Sequence, residues 1–264
     1  MFKNFILYSS RSGQMKKGVE RTPNILRFLL PNIDNFSIVN TSINDNLHLD
    51  LYTLYNNNNN VKFPKVNIGG DHSMSIATVQ DSLSIYPNTK VVWIDAHPDI
   101  NTSKSSKTHN YHGMPLALLT GLENDPSLSF QPHLLPFENI LYIGIRDIDP
   151  FEKYVIERYN INYISINDFI NIEKVISKIK EFVDNSPIHV SFDVDSIDPK
   201  FIPCTGTPVE NGLGLFQCRV ILETIFKENV INVDLTELNL SLGTLYDKEK
   251  SIHNLTYLFK NIVF

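Results

Sequence analysis

Three short segments rich in aspartate and histidine, each placed directly after a run of strand-forming residues, constrain this 264-residue chain more than any other feature. Residues 65–68 lead into Gly69-Gly70-Asp71-His72-Ser73, residues 90–94 into Asp95-Ala96-His97-Pro98-Asp99, and residues 189–192 into Asp193-Val194-Asp195-Ser196-Ile197-Asp198-Pro199. Further runs of strand character cover residues 5–8, 140–145, 162–164 and 230–233. Segments with apolar residues three or four apart fill the gaps at 73–86, 150–159, 167–184, 215–228 and 248–261. This alternation predicts an α/β fold with a mainly parallel sheet. In such a sheet ligands bind beyond the carboxyl ends of the strands, where all three motifs are expected to converge.

Asp95, His97 and Asp99 stand at i, i+2 and i+4, and Asp193 with Asp195 at i, i+2, so in extended backbone each set projects to one side. Four carboxylates crowded together repel and cannot all ionise unaided. Two divalent cations neutralise them, and the expected ligands are His72, Asp95, His97, Asp99, Asp193 and Asp195. With Asp95 and Asp193 bridging, one cation takes His72, Asp95, Asp99 and Asp193. The other takes Asp95, His97, Asp193 and Asp195, and open positions remain for a shared water. An oxygen-rich set with one imidazole per metal and no thiolate favours two Mn(II) ions over tetrahedral zinc. Read singly, Gly-Gly-Asp-His-Ser is a turn with Asp71 or Ser73 capping a helix, and Asp198-Pro199 is a turn. Three such motifs, each following a strand, argue against coincidence.

A net charge of -6 supplies no basic field for a phosphate backbone or anionic lipid, so nucleic acid and membrane are not expected partners and a small molecule fits better. No apolar run approaches the roughly 18 to 20 residues of a membrane span. The apolar stretch at the N-terminus is too short for a signal segment and reads as a first strand. Two cysteines, Cys204 and Cys218, suit a reducing, cytoplasmic setting and are expected as free thiols. The polar tract Asn56 to Asn60 reads as a loop rather than a boundary, so one domain is expected across residues 1–264.

The three motifs resemble the signature segments of the arginase and agmatinase family, the ureohydrolases. The resemblance runs from Gly18 and Pro23 to Glu237-Leu238-Asn239-Leu240-Ser241-Leu242-Gly243. It implies a three-layer α/β/α fold, a dimanganese centre and hydrolysis of a guanidino or related group. Asp99-Ile100-Asn101-Thr102 is similar to the arginase stretch whose asparagine helps hold the substrate α-carboxylate, and Thr108 falls where arginases carry a hydroxyl for the same group. Ile143-Gly144-Ile145-Arg146-Asp147-Ile148-Asp149-Pro150 is similar to the segment whose later aspartate, Asp149 here, receives the α-amino group, with Glu152 assisting through water. Agmatine lacks an α-carboxylate, so this clamp implies L-arginine as substrate, cleaved to L-ornithine and urea.

The resemblance also implies catalytic roles. Glu237 matches the family's active-site acid, and a carboxylate there pairs with the planar guanidinium. Asp234 is expected to support ligands. The metals lower the pKa of a bridging water, and the resulting hydroxide attacks the guanidinium carbon. Asp195, a ligand beside that water, carries a proton to the leaving amine. His112 matches a histidine at the cleft mouth, expected to titrate near neutrality and relay protons. Thr207 matches a position close to the water or substrate, and Cys204 in the same loop reads as a bystander. His109 has no family counterpart. Two departures stand out: Pro98 replaces the usual small hydroxyl residue between ligands, and Thr108 replaces the commoner serine. The implied assembly is a homo-oligomer, usually a trimer, without the C-terminal tail that many animal arginases place between subunits.

Rival readings differ in what they require. Agmatinases, guanidinobutyrases and formimidoylglutamases share the metals and read a different substrate tail. An inactive, metal-bearing regulatory paralogue is expected to have lost ligands, and none is missing. A dinuclear phosphoesterase needs basic residues about the metals, which the motifs do not supply.

Overall fold

The structure, a computed structural model, describes residues 3–29, 37–41, 43–130 and 132–260. Strands β1 (Asn4–Tyr8), β2 (Ser37–Asn40), β3 (Lys65–Gly69), β4 (Lys90–Ile94), β5 (Ile140–Ile143), β6 (Asn162–Ile164), β7 (Ile188–Asp193) and β8 (Val230–Thr236) form a sheet in the order β2-β1-β3-β8-β7-β4-β5-β6. Every pairing is parallel. Among the described residues eight α-helices accompany it: α1 (Thr22–Leu29), α2 (Leu47–Asn59), α3 (Ser75–Ile85), α4 (Pro115–Thr120), α5 (Pro150–Arg158), α6 (Ile172–Val183), α7 (Leu215–Ile225) and α8 (Leu245–Phe259).

Alternation along the strands builds three layers, as expected. Phe5, Leu7, Val66, Ile68, Val92, Ile94, Val190, Phe192, Val233 and Leu235 pack on one face with side chains of α1, α6, α7 and α8. On the other face Ile6 and Tyr8 pack with α2 and α3 at one end, while Val91, Trp93, Ile140 and Tyr142 pack with α3, α4 and α5 at the other. Between those ends the same face is polar. Asn67, His189, Ser191, Asn232 and Asp234 are fully buried under α3. Asn67 Nδ2 donates to Asn232 Oδ1 at 2.9 Å and Asp234 Oδ1 at 2.8 Å, and Ser75 Oγ donates to Asp234 Oδ2 at 2.8 Å. His189 Nε2 lies 3.0 Å from Asp234 Oδ2, with its Nδ1 2.9 Å from Ser82 Oγ.

The expected elements are present, and the differences have local causes. The strand read over 140–145 stops at Ile143 because Gly144 turns to a φ of 94°. Helix α3 begins only after a 3-10 turn, His72–Met74, and α6 after another, Ile166–Ile170. Helix α8 starts earlier than 248, at Leu245, where the Thr244 hydroxyl accepts from Asp247 N; residue 261, its expected end, lies outside the described residues. Strand β2 and helices α1, α2 and α4 were not expected. The asparagine tract is a correction. Asn56 to Asn59 are the last turn of α2, not loop, because the buried Lys65 ammonium takes the Asn58 carbonyl at 2.7 Å and the Val61 carbonyl at 3.2 Å. Cys204 and Cys218 are free and buried. Among the described residues no helix is long and apolar enough to cross a membrane.

Candidate active site

The sheet order sets β3, β8, β7 and β4 side by side, so their carboxyl ends deliver His72, Glu237, Asp193 and Asp95 to one place. The turn after β3 needs Gly70, since a Cβ there would stand 2.1 Å from the Ser10 carbonyl. Asp71 then caps the turn, accepting from Ser73 N at 2.9 Å and Gly13 N at 3.0 Å. Burial and the nearby charge of Glu237 push Asp71 up to about 6.

Extended backbone is not what groups the other ligands, contrary to the spacing argument. Strand β4 ends at Ile94, and the chain reaches Asp99 through a loop in which Asp99 takes a positive φ of 50°. Strand β7 ends at Asp193, and Asp195 sits in a 3-10 turn, Val194–Ser196. Each leading carboxylate folds its own turn: Asp95 Oδ1 accepts from His97 N and Asp193 Oδ1 from Asp195 N, both at 2.8 Å.

Two donor groups result. His72 Nδ1 lies 3.1 Å from Asp95 Oδ2, 3.0 Å from Asp99 Oδ2 and 3.2 Å from Asp193 Oδ2. His97 Nδ1 lies 3.5 Å from Asp95 Oδ1 and 3.1 Å from Asp195 Oδ2. Asp95 is common to both groups. Asp193 joins the first group through Oδ2, while its Oδ1 accepts from the Asp195 amide, just as Asp95 Oδ1 accepts from the His97 amide. His72 Nδ1 is buried and, for all its short contacts, makes no hydrogen bond of acceptable geometry. The atoms point at a shared spot rather than at one another, which is the geometry of ligands about a cation.

The electrostatics agree. Burial, reinforced by the neighbouring carboxylates, raises Asp193 and Asp195 and pushes Asp99 up to about 6. Burial opposes protonation of the imidazoles, yet Asp193, Asp95 and Asp99 outweigh it and hold His72 well above its usual range. Against the same burial, Asp195 and Asp95 bring His97 up to about 12. A pocket this crowded with carboxylates calls for positive charge, which divalent cations can supply.

Beyond these groups lies a cavity of about 340 Å³. It is lined by His72, His97, Asp99, Asp193 and Asp195 together with Asn101, Thr108, His112, Asp149, Glu152 and Thr207, so one space unites most of the residues singled out in the sequence. Asn101 Nδ2 donates to Asp149 Oδ2 at 3.2 Å. Glu152 accepts from Asp149 N at 2.9 Å and Ile100 N at 3.3 Å, and burial pushes it up to about 8. Thr207 Oγ1 donates to Asp195 Oδ2 at 2.9 Å. Thr108 Oγ1 is 3.5 Å from Ser106 Oγ.

Glu237 stands behind that wall. Its Oε1 accepts from His72 N and meets His112 Nδ1, each at 3.0 Å, and both oxygens accept from Gln14 Nε2 at 3.0 and 2.8 Å. Burial would lower His112, but the hydrogen bond and charge of Glu237 outweigh it and carry the imidazole up to about 9.

Several contributing residues gave no signal in the sequence. Gln14 reaches Glu237 across 223 positions. Ser191 lies 2.8 Å from His72 Nε2, and Trp93 stacks on that ring at 4.2 Å while its Nε1 donates to Asp95 Oδ2 at 3.0 Å. Arg146 donates to the carbonyls of Gly144, Asp195, Ser196, Val209 and Glu210, tying the Asp195 turn to two loops. Asp234, expected to support ligands, does so at one remove, through Ser75, whose Oγ is 3.1 Å from that of Ser191.

Residues 12–255 match the arginase family. The chain belongs to this family. Among its relatives, pig (Sus scrofa) arginase-1 is 39% identical over 187 residues, 67% of this chain and 58% of the pig protein. Entamoeba histolytica arginase is 41% identical over 181 residues, 66% of this chain and 61% of that protein. The matched stretch is thus under two thirds of either relative's length. The crystal structure of Entamoeba histolytica arginase in complex with L-ornithine superposes with a TM-score of 0.88 at 29% identity, covering 98% of this chain and 100% of that one. The eight-stranded parallel sheet and its flanking helices are therefore the arginase fold.

Proposed function

We propose that this arginase-family protein is a dimanganese hydrolase that cleaves the guanidino group of L-arginine to L-ornithine and urea. The observation that carries the reading is the pair of donor groups sharing Asp95, set at the floor of a cavity whose rim presents Asn101, Thr108 and Asp149. His72, Asp95, Asp99 and Asp193 would hold one ion and Asp95, His97, Asp193 and Asp195 the other. When bound, two such ions supply Lewis acidity that brings the pKa of a shared water toward neutrality.

The chain's own residues do the rest. Asp149 receives the substrate α-ammonium, Asn101 and Thr108 face the α-carboxylate, and Glu152 fixes the Asp149 backbone. Glu237 takes the guanidinium. Because Glu237 already carries the His112 imidazolium, arrival of the guanidinium exchanges one cation for another on the same carboxylate and frees His112 with its proton. Asp195, steadied by Thr207, passes a proton to the leaving amine, and His112 exchanges protons with solvent. Two buried free thiols support a reducing, cytoplasmic setting. A single domain and a homo-oligomer follow from the family reading.

The test compares urea release from L-arginine and from agmatine, with protein loaded with manganese and with protein stripped by chelation. Turnover of L-arginine that needs the metal and exceeds turnover of agmatine is expected. Faster agmatine hydrolysis would falsify the substrate assignment, and activity in the stripped protein would remove the metals from the reading.

A further inference from the structure

The cavity rim holds a cation that no motif singled out. Lys107 is the one lysine or arginine among the described residues lining the cavity, and its Nζ lies 3.4 Å from Asp149 Oδ1. Beside it stand three carboxyl side chains, Asp147, Asp149 and Glu152. Asp149 is thus held from two sides, with Asn101 on Oδ2 and Lys107 on Oδ1. The lysine side chain is 84% exposed, so it is free to leave one partner for another a few ångströms away.

We infer that Lys107 is a specificity-determining residue, and that the Lys107–Asp149 pair is a complementary imprint of an α-amino acid, selecting substrates whose tail bears both an ammonium and a carboxylate. The inference rests on the arginine-hydrolase reading and names how its substrate class is chosen. An α-amino acid presents an ammonium and a carboxylate on adjoining atoms. When its ammonium takes Asp149, Lys107 is displaced and turns to the incoming carboxylate, so one ion pair is broken and two are formed. A decarboxylated ligand behaves differently. Its ammonium still displaces Lys107 from Asp149 but brings no carboxylate to receive the lysine, and two ammonium groups are left side by side at Asp149. The device therefore favours the zwitterion and disfavours the diamine with the same residue.

An exposed ion pair of this kind changes affinity by about fivefold. The experiment titrates L-ornithine and 1,4-diaminobutane calorimetrically into the metal-loaded protein as wild type, Lys107→Met and Lys107→Arg, and measures kcat and KM for L-arginine on the same samples. Lys107→Met is expected to weaken L-ornithine by about fivefold and raise the KM for L-arginine to match. Its kcat stays constant, and 1,4-diaminobutane binds as before or more tightly. Lys107→Arg restores the wild-type pattern. Unchanged L-ornithine affinity in Lys107→Met overturns the inference, and so does equal weakening of both ligands. A wild type that shows the Lys107-dependent preference for L-ornithine but releases no urea from L-arginine instead sinks the catalytic reading and leaves the recognition device standing.

Discussion

Two cation–carboxylate pairs flank the cluster of candidate ligands, one at each end of the site, and they differ in almost every physical respect. The inner pair, His112 with Glu237, is 3.0 Å long, with side chains 19% and 3% exposed, and its carboxylate has two further donors, Gln14 Nε2 and the His72 amide. The outer pair, Lys107 with Asp149, is 3.4 Å long, 84% and 40% exposed, and hangs on a loop. Out of water, a carboxylate with fixed donors is a preorganised partner for charge that develops during reaction. In water the same attraction is screened and costs the side chain little to exchange. On the proposed reading, chemistry is concentrated at the inner end and choice of substrate at the outer.

The comparison can be broken at either end. The largest effect is expected from Glu237→Gln. With metal content unchanged, its rate of urea release falls on the order of 10² to 10³-fold, the cost of removing a preorganised charge partner. A variant that keeps most of its rate would deny the inner pair its role. The next effect is one of pH. The His112 imidazole has an ordinary value of about 6.5 when unfolded and is carried up to about 9 in the fold. The folded state therefore binds the extra proton, and the stabilisation is complete below about 6.5 and lost as pH rises through about 9. His112→Asn should be less stable than wild type by on the order of 2 kcal/mol near pH 6, with the gap shrinking toward pH 10. Denaturant titrations followed through the sole tryptophan, Trp93, measure this, and a gap that stays constant with pH refutes it. The smallest effect belongs to Thr108→Val, which should raise the KM for L-arginine by about threefold at unchanged kcat and metal content. A fall in kcat instead would mean that the rim takes part in the chemistry.

What the sequence disclosed, and what it hid, follow the same division. The candidate metal ligands were legible because each lies within a few residues of a strand end, and strand runs followed by acidic turns leave a local imprint. Even so, the reason offered was wrong in part: Asp99 reaches His72 through a left-handed residue and Asp195 through a 3-10 turn, not by alternation in extended chain. Turn-capping by the leading carboxylates, Asp95 on the His97 amide and Asp193 on the Asp195 amide, cannot be seen in a spacing rule. Strand β2 and helix α2 escaped notice since their pattern is weak without the sheet edge they pack on. Gln14, Ser191 and Arg146 were invisible for a different reason. Their partners are far off in the chain, and a glutamine, a serine and an arginine acquire meaning only when the sheet order has set β3, β8, β7 and β4 together.

The polar seam beneath α3 divides the tolerance of this protein to change. On the opposite face of the sheet, where α6, α7 and α8 pack, volume-conserving apolar swaps cost less than about 1.5 kcal/mol each. Along the seam Asp234 gathers Asn67, Ser75, Thr78 and His189, and Ser75 passes the line on to Ser191 and His72, so a single replacement orphans a neighbour. Mutational drift is thereby channelled to the far wall, and the imidazole at the head of the seam inherits the stillness of residues that never touch the cavity.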